Sequence, residues 1–232
     1  MSLAIIDPNC NADEAAMRRA MIDSQLRTNG INEPSLLAAI AAIARTDFLP
    51  EGAAARAYID RAIPLTASRS LNPVLSTARL IADANIVAGQ KILLIGAASG
   101  YAAAILAAMG AQVTAVESDA ALLALAHKAL GDAANITLVE APLAEGAPTG
   151  APYDGLLIDG AVESVPESLI AQLAPGARIA TGLVDIGPAD AGVTRLARAV
   201  KISGSDAVRL VAFADFECVR LPGFSPPPVF TF

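Results

Sequence analysis

The sequence predicts an α/β domain: a mostly parallel sheet with helices on both faces. Three observations carry this. From residue 91 onward short apolar runs alternate with helical segments, and a β-α-β-α order packs as a parallel sheet because each strand must return across a helix. The first of these runs ends in a Gly-rich turn that opens a helix. Finally, 232 residues with 54% hydrophobic and 17% charged side chains describe one domain with a large core, not a disordered chain.

Taken in order, residues 1–13, with Pro8, Asn9 and Asn11, read as a loose leader. From Asp13, the residues Met17, Met21, Ile22 and Leu26 recur at helical spacing, and Asn29-Gly30 stops that helix. A second helix runs from Pro34 to about Ala44, with proline at an early helical position. Residues 45–73 are mixed, broken by Pro50, Pro64 and Pro73, and are placed as a lid over substrate. A third helix covers about 74–84. Strands follow at 91–95, 112–116, 136–139, 153–158 and 177–183, with helices at 101–109, 119–130 and 166–173. Residues 193–202 and 207–220 read as two longer strands joined by Ser203-Gly204-Ser205, a hairpin closing the sheet edge. The Pro-rich end from Leu221 to Pro228 cannot continue a helix or a central strand, and Phe224, Phe230 and Phe232 are expected to pin it to the body. The whole is one domain, with an N-terminal helical segment (1–85), a ligand-binding core (86–200) and an edge strand with its tail (201–232).

Charge narrows the partners. With 16 basic and 23 acidic residues the net charge is −7, which disfavours nucleic acid and anionic membrane surfaces. No apolar run reaches the roughly 18 residues of a membrane span, and the N-terminus does not read as a signal peptide. Cys10 and Cys218 are two distant cysteines without a metal-like partner set. They read as inert thiols in a reducing cytoplasm, and no metal is expected. His127, the only histidine, falls on the helix after the second strand as a surface residue.

The ligand loop is Gly96-Ala97-Ala98-Ser99-Gly100-Tyr101. Small residues between a strand and a helix let a ligand approach backbone, and the helix start presents free N–H groups. These would hold the pyrophosphate of a dinucleotide or the amino-acid end of S-adenosylmethionine. A plain structural α/β turn has the same pattern. Glu117 ends the second strand 21 residues after Gly96, followed by Ser118, and a carboxylate there can accept both ribose hydroxyls. Glu117 suits that role and Asp119 suits a helix cap. Asp159 closes the strand that begins at Tyr153, which places it at the same edge of the sheet, where its bland role is to brace a turn.

Further runs give the chain a specific resemblance. Met21-Ile22-Asp23-Ser24-Gln25-Leu26, Gly30-Ile31, Arg45-Thr46-Asp47-Phe48-Leu49-Pro50, Ala57-Tyr58-Ile59-Asp60, Ile63-Pro64-Leu65, Gly100-Tyr101, Glu117 and Ala151-Pro152-Tyr153-Asp154 resemble the protein-L-isoaspartate O-methyltransferase family over about 15–185. Leu221-Pro222-Gly223-Phe224 looks like a divergent bacterial branch of it. The resemblance implies a Rossmann-like, S-adenosylmethionine-dependent methyltransferase that repairs isoaspartyl residues in damaged proteins. It implies that the loop from Gly96 to Tyr101, with Glu117, Ser118 and Glu140, binds S-adenosylmethionine, and that Ser70 and Asn72 stand where the family holds the reacting carboxylate. Asp159, near the reaction site by its place in the sheet, would repel that carboxylate unless screened or protonated, and would deprotonate or orient the nucleophile if the acceptor is uncharged. That carboxylate is ionised at neutral pH, so no general base is needed. The chain departs from the family pattern at Leu94 (an acid in the family), Ala98 (a glycine), Glu140-Ala141-Pro142 (Gly-Asp-Gly), Arg69-Ser70-Leu71-Asn72 (Gln-Thr-Ile-Ser) and Asp159 (a threonine). Asn72 retains an amide donor, and Arg69 can pair with a carboxylate. Two other readings stay open: a methyltransferase with a small-molecule or other acceptor, and a non-catalytic binding module, in either case with a homodimer as one arrangement.

Overall fold

The structure is a computed structural model, and it describes residues 8–184, 193–204 and 208–224. Helices α1 (Pro8–Met21), α2 (Pro34–Ala42) and α3 (Val74–Ala84) precede the main sheet. Two residue pairs, β1 (Ile63–Pro64) and β2 (Ser70–Leu71), form a small antiparallel ladder of their own. Then come β3 (Lys91–Ile95), α4 (Tyr101–Ala108), β4 (Gln112–Glu117), α5 (Ala120–Leu130), β5 (Ile136–Glu140), β6 (Tyr153–Val162), α6 (Glu167–Ala171), β7 (Leu173–Val184), β8 (Thr194–Val200) and β9 (Val211–Asp215).

The seven strands lie in the order β5-β4-β3-β6-β7-β8-β9. The first five in this order pair parallel, and β8 and β9 pair antiparallel. The alternation of β3 shows why both faces must be covered. Ile92 and Leu94 enter one core with α2, α3 and α4, while Leu93 and Ile95 enter a second with Leu169 of α6, Leu143, Leu221 and Phe224. The chain leaves β3 toward β4 on one side and later returns to β6 on the other. The carboxyl ends of β3 and β6 therefore flank the point where strand order reverses, the usual ligand crevice of such sheets.

Three expectations need correction. The leader is shorter than the sequence suggests, because α1 already begins at Pro8. Its continuation loosens into a π turn over Ile22–Leu26 and a 3-10 turn over Arg27–Asn29, closed by Gly30 at φ 79°. Ser24 and Thr28 hydroxyls bond back to the carbonyls of Ala20 and Ser24, which competes with regular helix geometry. Last, the strand expected over 207–220 is only Val211–Asp215. Beyond it, side chains capture the backbone. The Ser76 hydroxyl donates to Glu217 O, Cys218 N–H donates to Thr194 Oγ1, and Val219 N–H donates to Asn72 Oδ1. This pulls residues 217–221 across the carboxyl end of β6 as a strap. Phe224 is buried as expected, whereas Phe230, Phe232 and Pro226 to Pro228 lie outside the described residues.

Candidate active site

Between β3 and α4 the chain turns at Gly96 (φ 77°), Ala98 (φ 50°) and Gly100 (φ 97°). Gly96 and Ala97 donate their N–H groups to Val116 O, which ties this loop to the end of β4. Ala98 adopts a left-handed conformation that costs an L-residue energy, which is the physical reason a glycine suits that position. Ser99 and Tyr101 are fully enclosed, and neither the Ser99 hydroxyl nor the Tyr101 hydroxyl finds a hydrogen-bond partner among the described residues.

Glu117 ends β4 beside this loop and is completely buried. Its carboxylate accepts N–H bonds from Ala98 (2.8 Å), Ser118 (2.8 Å) and Asp119 (3.2 Å). Arg69 then adds a bidentate pair, Nη1 to Oε1 at 2.5 Å and Nη2 to Oε2 at 2.8 Å. Asp119 caps α5 by accepting from the N–H groups of Ala121 and Leu122. Glu140 lies opposite Glu117 in the β4–β5 register and is exposed. His127 is exposed on α5.

A second polar group lies under the strap. Asp159 sits within β6, because that strand continues to Val162. Its Oδ1 accepts from Asn72 Nδ2 (3.0 Å) and Thr77 Oγ1 (2.8 Å). Burial pushes the Asp159 carboxyl above its usual range, and the two hydrogen bonds and the nearby Arg45 and Arg69 only partly oppose this. Asn72 uses its carbonyl oxygen on Val219 N–H, so its side chain joins the strap to β6. Cys218 is buried there, and desolvation raises its thiol to about 12, with Asp159 adding to the effect. Ser70 stands in β2 opposite Pro64, half-buried and outside this cluster of bonds.

Arg45 is the residue that composition and spacing did not single out. It is wholly buried, donates from Nη2 to Asn72 O (2.7 Å), and lies 4.9 Å from the centroid of the Tyr101 ring. Burial lowers its pKa, while Tyr101 and Asp159 act the other way. Its only signal in the sequence was membership of the Arg45 to Pro50 run. Four buried charges thus gather at one edge of the sheet: Arg45 and Arg69 against Glu117 and Asp159.

Leu221 closes the crevice. A methyl group on Gly96 would lie 2.8 Å from Leu221 Cδ1, and one on Gly160 would lie 2.6 Å from Leu221 Cγ and 2.8 Å from Val219 O. Gly160→Ala should therefore destabilise the fold by about 1–3 kcal/mol through overpacking. Leu221→Ala in the same chain should recover part of that loss in urea denaturation. Purely additive losses would show that the two positions do not touch.

A family model described as protein-L-isoaspartate(D-aspartate) O-methyltransferase matches residues 16–211. This chain belongs to that family. The protein-L-isoaspartate O-methyltransferase 1 of Rhodopseudomonas palustris (strain HaA2) is 35% identical over 214 residues, covering 90% of this chain and 84% of the relative. The protein-L-isoaspartate O-methyltransferase of Methylorubrum populi is 37% identical over 176 residues, covering 75% of this chain and 81% of the relative. A solved protein-L-isoaspartate O-methyltransferase superposes with a TM-score of 0.77 at 18% identity, over 89% of this chain and 66% of that one. A Plasmodium falciparum protein in complex with S-adenosyl-L-homocysteine, described as belonging to the same enzyme class, gives a TM-score of 0.68 at 15% identity, over 89% of this chain and 96% of that one. The two solved structures establish the Rossmann-like methyltransferase fold.

The family is one of S-adenosylmethionine-dependent methyltransferases acting on isoaspartyl-containing proteins. Measured against that cofactor, the chemistry of this site fits: a strand-end carboxylate, a small-residue loop and two unpartnered hydroxyls, Ser99 and Tyr101. The space does not fit. Arg69 holds the carboxylate and Leu221 covers Gly96, so this conformation does not accommodate the cofactor. Among the described residues, no helix is long and apolar enough to cross a membrane.

Proposed function

We propose that this chain transfers a methyl group from S-adenosylmethionine to the α-carboxylate of isoaspartyl residues in damaged proteins. The observation that carries the reading is the family match over residues 16–211, which includes both the loop at Gly96 and the segment bearing Arg69 and Asn72. In support, Gly96 and Glu117 stand side by side at the carboxyl ends of neighbouring parallel strands, tied by the bond from Ala98 N–H to Glu117. On this reading the loop from Gly96 to Tyr101 and the acids Glu117 and Glu140 take the cofactor, with Ser118 fixing Glu117 through its N–H. Ser70, Asn72 and Asp159 flank the acceptor. An acidic chain of this kind works on proteins in the cytoplasm, as its free, buried Cys218 also suggests.

The test is methyl transfer from labelled S-adenosylmethionine to an isoaspartyl peptide and to its normal aspartyl twin. The expected result is methylation of the isoaspartyl form alone. Equal labelling of both peptides, or of neither, would remove the proposal.

A further inference from the structure

The crevice between β3 and β6 is filled from two directions by the chain itself. Glu117 offers about four lone-pair positions, and five N–H groups already point at them: two from Arg69 and one each from Ala98, Ser118 and Asp119. Nothing remains to accept the two hydroxyls of a ribose. The Ala98 donor belongs to the loop and the Ser118 and Asp119 donors to the turn between β4 and α5, and none can leave without unmaking those turns. Arg69 is the donor that can leave, because it arrives on a long side chain from the residue just before β2, 48 residues away.

Leu221 blocks the neighbouring place. Its isobutyl group is the nearest atom set to both Gly96 and Gly160 and covers the backbone that the loop would turn to a ligand. Two hydrogen bonds hold it there: Ala161 N–H to Val219 O at 2.7 Å and Leu221 N–H to Ala161 O at 2.9 Å. The two blocks are joined. Asn72, three residues after Arg69, accepts from Val219 N–H and donates to Asp159. A movement of β2 that withdraws Arg69 therefore also pulls on the strap.

We propose that Arg69 and Leu221 are an intramolecular competitor of S-adenosylmethionine, Arg69 taking the ribose position on Glu117 and Leu221 the position over Gly96, so that cofactor binds only when both swing away. The proposal rests on the cofactor reading above and adds to it the residues that set cofactor affinity. Any ligand that binds only the open state loses affinity by the fraction of chains that are closed. Weakening either contact should return that affinity without touching the loop or Glu117.

Calorimetric titration of S-adenosylhomocysteine into the full chain and into Arg69→Gln, Leu221→Ala and the double variant tests this, with circular dichroism confirming that each is folded. Each single variant should bind at least about tenfold more tightly than the native chain, and the double variant more tightly than either. Because the two substitutions act at different contacts, either one alone carries the test if the other fails to fold. Equal affinity in the native chain and the variants would overturn the competitor while leaving the cofactor reading intact. Absence of binding in every folded variant at millimolar ligand would overturn both.

Discussion

Glu117→Ala should cost this protein about 3–5 kcal/mol of stability, a large share of the roughly 5–15 kcal/mol that holds a domain together. The reason is what remains behind. Without Glu117 the N–H groups of Ala98, Ser118 and Asp119 lose their acceptor, and the Arg69 guanidinium, nearly fully enclosed in this conformation, either stays desolvated without its partner or leaves its seat unfilled. The reverse change, Arg69→Gln, should cost much less, about 1–2 kcal/mol, because three backbone N–H groups still stabilise the carboxylate. Urea denaturation of the two variants measures the asymmetry. If Arg69→Gln proved as costly as Glu117→Ala, the pair would be a symmetric structural tie and the idea that Arg69 is the removable member would fail.

That asymmetry was only half legible in the sequence. Glu117 could be placed because strand-end acids follow a Gly-rich turn at a regular distance, and the strand-helix-strand order over 91–116 required the two strands to run parallel. The same local periods located α3, α4 and α5 and the cap at Asp119. Arg69 could be seen as a cation able to meet a carboxylate, but nothing near it in the chain says which one. Its partner is set by how the β1–β2 ladder lies over β4, a contact between segments with no shared periodicity. The strap failed for a related reason. Residues 216–220 read like a strand, yet their backbone meets another backbone only around Ala161 of β6 and is otherwise held by the side chains of Ser76, Asn72 and Thr194, which no pattern within the strap announces. Leu221, read as part of a peripheral tail, fills the crevice because Gly96 and Gly160 leave room for it from strands distant in sequence.

Asp159→Asn should raise stability at neutral pH by roughly 1–2 kcal/mol, and the gain should disappear in acid. Asp159 is buried within β6, and the charged or titratable groups that act on it are Arg45 from the turn after α2, Arg69 from the segment before β2, Cys218 from the strap and Tyr101 at the start of α4. Burial outweighs the two cations, so the folded-state pKa lies above the unfolded value near 4. The folded state then holds the proton more tightly than the unfolded state does. Stability is highest below the unfolded pKa and falls as the pH rises through the folded pKa. Asparagine keeps an oxygen to accept from Asn72 Nδ2 and the Thr77 hydroxyl, and it removes the charge. Native and Asp159→Asn melting temperatures should therefore converge below about pH 4 and separate progressively above it. A variant less stable than the native chain at pH 7 would mean that Arg45 depends on a charged Asp159, and that the four buried charges hold together as two ion pairs instead of one pair and one strained acid.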